Sequence, residues 1–432
     1  MTSLPAQGHT VGVDARTRSD ASRRAADKGF WLLCLAVTTL ASIILAVLVV
    51  AVMVQGWKYL SWDFLSNYAS RFPEQAGFKA ALWGSVWVCA VCAVTAVPLG
   101  VGTAVFLEEY GPKSGPARKL HEFVQLNISN LAGVPSVVYG IIGLTAFARM
   151  FGLFGPANIS NYDDMIFLTL KDTTRVVGPS LGEDDTSIVI DDIRSGERVV
   201  SLSDIDSRKD RYVLTHMFTL QDGTRVEGRL TGSSPKSLRV FTGSAGGVVD
   251  VPREKIAGYD YRAMIEIGSR GTPFYVHLPF GGGVMAAGLT LMLVVLPIVI
   301  VSTREALRAV PASLREGARA LGATRWQMVS RMILPAALPG VMTGAILAMS
   351  RAIGEAAPIL VVSGIVFIMN TPSGLTSDFS AMPLQIFSWA NMPQEEFKGV
   401  AAAGILVLLA VLACFNIAAV VIRQRLQKGL TA

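Results

Sequence analysis

Six long apolar runs constrain this chain more than any other feature. Residues 30–54, 80–106, 123–148, 280–303 and 399–422 contain no charged side chain, and a sixth run, 336–369, contains only Arg351 and Glu355. A helix needs roughly 20 apolar residues to cross the hydrocarbon core of a bilayer, so each run is long enough to span one. The first is too long for the core of a secretory signal and follows a polar tail over 1–29, which predicts an uncleaved span. Only 16% of the 432 residues are charged and 51% are hydrophobic, against about 25% charged in a soluble domain. A simple soluble enzyme, a secreted disulfide scaffold and a disordered chain are excluded. The expectation is an α-helical polytopic membrane protein with six transmembrane helices, set over 30–157 and 273–432.

The charge that exists is unevenly placed. Residues 158–270 hold 18 acidic and 15 basic side chains, whereas the remaining 319 residues hold 14 and 23. A water-soluble insert over 158–272 is therefore expected between the third and fourth spans. It repeats itself: LTLKDTTRVVG at 168–178 and FTLQDGTRVEG at 218–228 agree at seven of eleven positions, including Asp172/Asp222, Arg175/Arg225 and Gly178/Gly228. A fixed offset marks a duplicated structural unit. Each copy continues with β-branched runs, SIVI and RVVSL in the first, LRVFT and GVVDV in the second, separated by turn formers such as Asp222-Gly223. This predicts a duplicated small β-barrel module, two barrels of about five strands each, similar in their opening pattern to Sm-like and SH3-like barrels. The insert's net charge of −3 argues against RNA, and a protein-contact role is the expectation.

Lysine and arginine beside the spans set orientation. With the N-terminus inside, cytoplasmic segments carry Arg16, Arg18, Arg23, Arg24 and Lys28, then Lys113, Arg118 and Lys119, then six arginines between 304 and 331, then Arg423, Arg425 and Lys428. The outer loops carry only Lys58, Arg71, Lys79 and Lys398, with Trp57, Tyr59, Trp62 and Tyr68 suited to an interfacial belt. Both termini are thus expected in the cytoplasm and the insert outside. The cysteines (Cys34, Cys89, Cys92 and Cys414) lie in apolar runs, where the thiolate is disfavoured, so the CxxC at Cys89 and Cys92 reads as structural. The four histidines show no ligand spacing, and no metal is expected.

The most informative polar segment is STREALRAVPASLREGARALGATRWQMVSRMILP, residues 302–335. Ser302 with Glu305, Ser313 with Glu316 and Thr324 with Gln327 each fit a capping box, in which two orphan helix donors are satisfied reciprocally. Pro311 and Gly322 punctuate the intervals. This predicts a helix, a short helix over Leu314–Leu321, and a third helix running into Pro335. The short helix would set Leu314, Ala318 and Leu321 on one side, with Arg315 and Arg319 on the other. Such a helix suits docking into another protein; the spacing alone fits an ordinary connecting loop equally well.

SLREGARALGATRWQMVSRMILP resembles the EAA loop of ABC-importer permeases, with Glu316, Ala318, Gly322 and Pro335 at matching positions and Gly317 standing where the second alanine usually sits. PLGVGTAVFLEEYG (98–111), LAGVPSVVYGIIGL (131–144), MTGAILAMSRAIGEAAPIL (342–360) and MPLQIF (382–387) are similar to segments of PstA-type phosphate permeases. The resemblance covers the membrane part and neither the insert nor the N-terminal tail. It implies the type I ABC importer permease fold in a cell inner membrane, with Ser313, Arg315, Glu316, Ala318, Gly322 and Pro335 coupling to an ATPase. It further implies a companion permease, two copies of that ATPase, and a periplasmic phosphate-binding protein. No phosphate-binding loop of the GxxxxGK[ST] type occurs, so the chain is expected to be a permease rather than an enzyme, with no cofactor of its own, ATP bound by the partner, and no nucleic acid. A companion permease, a molybdate or sulfate permease, and a non-transporting receptor are the rival readings.

Arg351 and Glu355 are four residues apart within the sixth run, which predicts one helix with an intramembrane ion pair. Desolvating such a pair costs several kcal/mol per ion before compensation, so it is expected to face an aqueous path or the bundle interior. A guanidinium offers phosphate both a cation and a planar fork of donors. The run of 34 residues is too long for one crossing, and Pro358 is the expected break. Asn127 and Asn130 read as hydrogen bonds between helices ahead of a lining of the path, and Glu108 and Glu109 as solvated residues at a helix end, with contact to the ATPase as the alternative.

Overall fold

The computed structural model describes residues 13–112, 114–152, 163–242, 247–269, 272–363 and 368–431. Before the insert it forms α1 (Val13–Gly56), α2 (Trp62–Ser66), α3 (Lys79–Glu109), α4 (Pro116–Leu131) and α5 (Ser136–Gly143). After it come α6 (Val284–Arg308), α7 (Ala312–Ala320), α8 (Arg325–Met328), α9 (Leu334–Gly354), α10 (Ala357–Ser363), α11 (Met382–Ala390) and α12 (Glu396–Thr431). Among the described residues five helical stretches are long and apolar enough to cross a bilayer: Ala26–Tyr59, Lys79–Glu109, Val284–Arg308, Arg325–Gly354 and Glu396–Arg425. The polar tail expected over 1–29 is helical from Val13 onward.

Two expected spans need correction, both because of proline. The run 123–148 is no straight helix: α4 and the stretch Ser136–Ala148 meet at 107°, and only together do they make a sixth crossing. Gly133 and Pro135 interrupt the ladder there, since proline lacks an N–H and drives the preceding residue out of the helical region. The Leu131 carbonyl accepts from the Val134 N–H at 3.1 Å and from the Tyr139 hydroxyl at 2.7 Å, which pins the corner. In the run 336–369 the break falls at Glu355 and Ala356 rather than at Pro358. The Pro358 ring would strike the carbonyl four residues back, at Gly354, which is where α9 ends; Pro358 itself is the second residue of α10.

The membrane core is α3 on α6 and α6 on α9. Val88, Cys92 and Ala96 pack with Leu291, Val295, Val299, Ala348 and Ala352. Small residues such as Ala96, Ala348 and Ala352 sit among larger aliphatic ones, because lipid gives helices little hydrophobic reason to associate and close backbone approach helps to hold them together. The chain from Phe379 through α11 folds back into this bundle, and the Met382 N–H donates to Ser85 Oγ at 2.8 Å. Gly84 is required there, since a Cβ would collide with the Ser380 carbonyl oxygen. By contrast α1 leans mainly on α12 and buries none of its apolar window within the chain.

The insert is a nine-stranded antiparallel sheet region: β1 (Asp163–Leu170), β2 (Arg175–Glu183), β3 (Ser187–Asp192), β4 (Gly196–Ser201), β5 (Ile205–Leu220), β6 (Arg225–Ser233), β7 (Ser237–Phe241), β8 (Val248–Pro252) and β9 (Ile256–Ala263). A hairpin of β10 (Ile265–Ile267) and β11 (Val276–Leu278) leads toward α6. Among the described residues the roughly ten strands expected from two separate units are nine in this sheet, because one long strand serves both. The first half of β5 pairs with β1, and its second half pairs with β6 and β9. The repeat holds at atomic detail. Thr174 N–H donates to Asp172 Oδ1 and Thr224 N–H to Asp222 Oδ1, each at 2.8 Å. Thr173, at φ +68, occupies the left-handed position that Gly223 takes at φ +85. Gly178 and Gly228 both lie where a Cβ would strike a neighbouring strand's carbonyl oxygen, that of Asp191 or Phe241.

Candidate functional site

The segment 302–335 folds as a helix end, a short helix and a third helix, with boundaries that differ from the sequence reading. α6 runs through Ser302, whose hydroxyl donates to the Val299 carbonyl at 3.2 Å instead of capping. α7 starts at Ala312 after Pro311, so Ser313 lies inside the helix, exposed and not at the cap. Only the third box forms: Thr324 Oγ1 accepts from the Gln327 N–H, and Gln327 Oε1 accepts from the Thr324 N–H. The end of α7 is a Schellman motif, in which Ala323 N–H donates to Ala318 O and Gly322 N–H to Arg319 O. Gly322 supplies the left-handed turn at φ +75. Pro335 does not stop the third helix. A π-helical turn over Val329–Ile333 precedes it and widens the ladder where its ring would clash, so the chain continues as α9.

Within α7, Ala318 is 1% exposed and packs with Leu307, Val310, Met328 and Ile333. Glu316 is exposed. Two side chains leave the faces assigned to them. Leu321 caps α7 one residue past its end and is 87% exposed, because the chain turns away before its side chain can rejoin the apolar face. Arg315 turns inward. Its Nη2 pairs with Glu109 at 2.9 Å, and its guanidinium also donates to the Val310 and Leu307 carbonyls at 2.8 Å.

Glu108 and Glu109 are therefore not merely solvated helix ends. Glu108 accepts from Arg308 at 3.0 Å and lies 3.6 Å from Arg304, so the C-terminal end of α3 is tied to α6 through one carboxylate and to α7 through the other. These contacts span about 200 residues, and the signal available was weak: two adjacent acids closing an apolar run, and arginines four apart at 304 and 308. The Asn127 and Asn130 side chains are exposed, and Asn127 bonds back to the Phe123 carbonyl of its own helix.

Arg351 stands in the last turn of α9, and Glu355 is the extended residue just past it, so the pair bridges a helix break instead of lying along one helix. Arg351 Nε meets Glu355 Oε1 at 3.1 Å, with the side chains 49% and 16% exposed. One residue earlier, Ser350 Oγ donates to Asn416 Oδ1 of α12 at 2.5 Å; a lone asparagine in an apolar run was the overlooked clue. A half-exposed guanidinium beside apolar spans needs a wet path or a facing partner.

Residues 237–428 match the family described as the binding-protein-dependent transport system inner membrane component. Over 198 residues the chain is 32% identical to the probable ABC transporter permease protein YqgI of Bacillus subtilis, which covers 43% of this chain and 67% of that one. It is 36% identical over 147 residues to the phosphate transport system permease protein PstA 1 of Mycobacterium tuberculosis, 34% of this chain and 48% of the relative. With PstA of Yersinia pestis the identity is 39% over 137 residues, 32% and 46% of the two chains. The chain thus spans about half the length of these two phosphate permeases.

Proposed function

Because this chain belongs to the family of binding-protein-dependent transport system inner membrane components, we propose that it is the permease subunit of an ATP-driven phosphate importer. It forms half of the translocation path, and a companion permease supplies the other half. The observation that carries this reading is the Arg351–Glu355 pair at the break between α9 and α10, half-exposed on the isolated chain. A discontinuous span with charge at its break is a common form of substrate site in transporters. Glu355 holds the guanidinium in place and weakens its grip on an anion, so that phosphate binds and leaves again. The phosphate permeases among the relatives support the choice of anion.

Coupling runs through α7. Its buried Ala318, its Schellman end and the Arg315–Glu109 pair make it a stiff lever joined to α3. Leu321 and Trp326 expose apolar surface beside it, as a docking face for an ATPase requires. ATPase closure then rocks the spans between inward and outward access. The lysine and arginine distribution supports a cytoplasmic α7, cytoplasmic termini and an extracytoplasmic insert. In the insert, the return of β5 onto β1 and of β9 onto β5 supports two small barrels fused through one strand, in a position to meet the soluble phosphate-binding protein. The test is disulfide trapping in the assembled complex with cysteine at position 321 and cysteines across the ATPase groove. Trapping that changes with ATP is the expected result. An assembled, ATP-hydrolysing complex with no trapping at any groove position would overturn the coupling assignment.

A further inference from the structure

We propose that the cavity at the C-terminal end of α3 binds a phosphate group, with Arg319 and Arg325 as its ligands. The cavity holds about 450 Å³ and lies among the end of α3, the start of α4, the end of α6 and the α7–α8 segment. Arg308, Arg315, Arg319 and Arg325 line it together with Glu108 and Glu109. Both carboxylates are already engaged, Glu108 by Arg308 at 3.0 Å and Glu109 by Arg315 at 2.9 Å. Behind Glu108 stands a second cation, Arg304, nine-tenths buried, 3.6 Å away and with no hydrogen-bond partner for its Nε among the described residues. Glu108 therefore has two positive neighbours and does not repel an incoming anion.

What remains is the pair Arg319 and Arg325, both exposed and neither with an acidic partner among the described residues. Two uncompensated guanidinium groups lining one concavity draw anions into it. Their planar forks match the oxygens of a phosphate group, which accepts from both at once. The ligand chemistry has two sources, the headgroup of an acidic phospholipid in the adjacent leaflet and free phosphate in the surrounding water. Either would bridge α7 to α8, beside the joint that Arg315 makes with Glu109 at the end of α3. The site is separate from Arg351 and stands whether or not the chain carries phosphate.

The test uses the full chain carrying Arg351→Ala, so that the α9 break contributes no anion binding. In one arm the chain sits in phosphatidylcholine nanodiscs and radiolabelled inorganic phosphate is measured by equilibrium binding. In the other the nanodiscs contain phosphatidylglycerol, and lipid retained by the chain is measured by native mass spectrometry. Each arm is repeated with R319Q/R325Q and with R239Q, a control at an exposed arginine of the insert. The expected result is one phosphate group held in at least one arm, with affinity at least about tenfold lower in R319Q/R325Q and unchanged in R239Q. Free phosphate held in phosphatidylcholine assigns the site to the soluble anion; retention of phosphatidylglycerol alone assigns it to the headgroup. Binding in neither arm, or equal binding by R319Q/R325Q, overturns the proposal. Size-exclusion profiles establish that each variant is folded.

Discussion

Two arginine–carboxylate pairs in this molecule differ in what is left over once the pair has formed. In the insert, Arg253 Nη2 meets Asp191 Oδ1 at 2.6 Å, with the arginine 3% exposed; Nε donates to the Ser234 carbonyl and Nη1 to that of Asp192. Those acceptors come from both copies of the repeat, so every nitrogen of this guanidinium is engaged in stapling the halves together. At the break of α9, Arg351 meets Glu355 at 3.1 Å through Nε, and among the described residues it has no other partner. Its remaining donors face outward. A saturated guanidinium is a structural element, whereas an unsaturated one at membrane depth is costly unless water or a ligand completes it.

Breaking each pair should give opposite signatures. Arg253→Ala leaves Asp191 buried without its partner, which costs about 3–5 kcal/mol. The insert should then become sensitive to limited proteolysis and low urea, while phosphate uptake falls less than in any variant at the α9 break. Arg351→Ala should do the reverse: uptake falls roughly 100-fold, the scale of one charge-assisted hydrogen bond of up to about 3 kcal/mol, while assembly with the companion permease, read by co-purification, is unchanged. Lost assembly would make Arg351 helix glue and erase the contrast.

The smallest effect concerns the two repeats. The Thr174 and Thr224 N–H groups hold Asp172 and Asp222 below the usual carboxylate range. A depressed folded value means that each contributes stability in full above the unfolded value of about 3.9 and loses it as pH falls through the folded one. Asp172→Ala and Asp222→Ala should therefore cause equal, small losses in the insert's melting temperature at pH 7, and both losses should shrink below pH about 3.9. Unequal losses would mean that the copies have diverged in what their first turns support.

The parts legible in the sequence are those set by local chemistry. Span positions follow from apolar length, which needs no knowledge of neighbours. The duplicated turns follow from Asp172 and Asp222, whose acceptors act within two residues. The Thr324–Gln327 cap formed because both halves of the box lie at a true helix start. Ser302 matched the same pattern but sits inside α6, where the packed helix continues to Arg308. The break expected at Pro358 was displaced because proline acts on the carbonyl four residues back rather than at its own position, and the corner at Gly133 and Pro135 was not expected at all. Leu321 fitted the helical period yet lies one residue past the helix. The links of Glu108 and Glu109 to Arg308 and Arg315 join segments about 200 residues apart, which no local pattern encodes. Nor did the pattern reveal that one strand, β5, would serve both repeats.

The proposed role of this chain is to form half of a phosphate path. Its most direct test is labelled phosphate uptake in cells stripped of their own high-affinity system and supplied with this chain, its companion permease, the ATPase and the binding protein, under excess sulfate or molybdate. Uptake that depends on this chain and resists both competitors is the predicted result. An assembled complex that hydrolyses ATP but takes up no phosphate would contradict it.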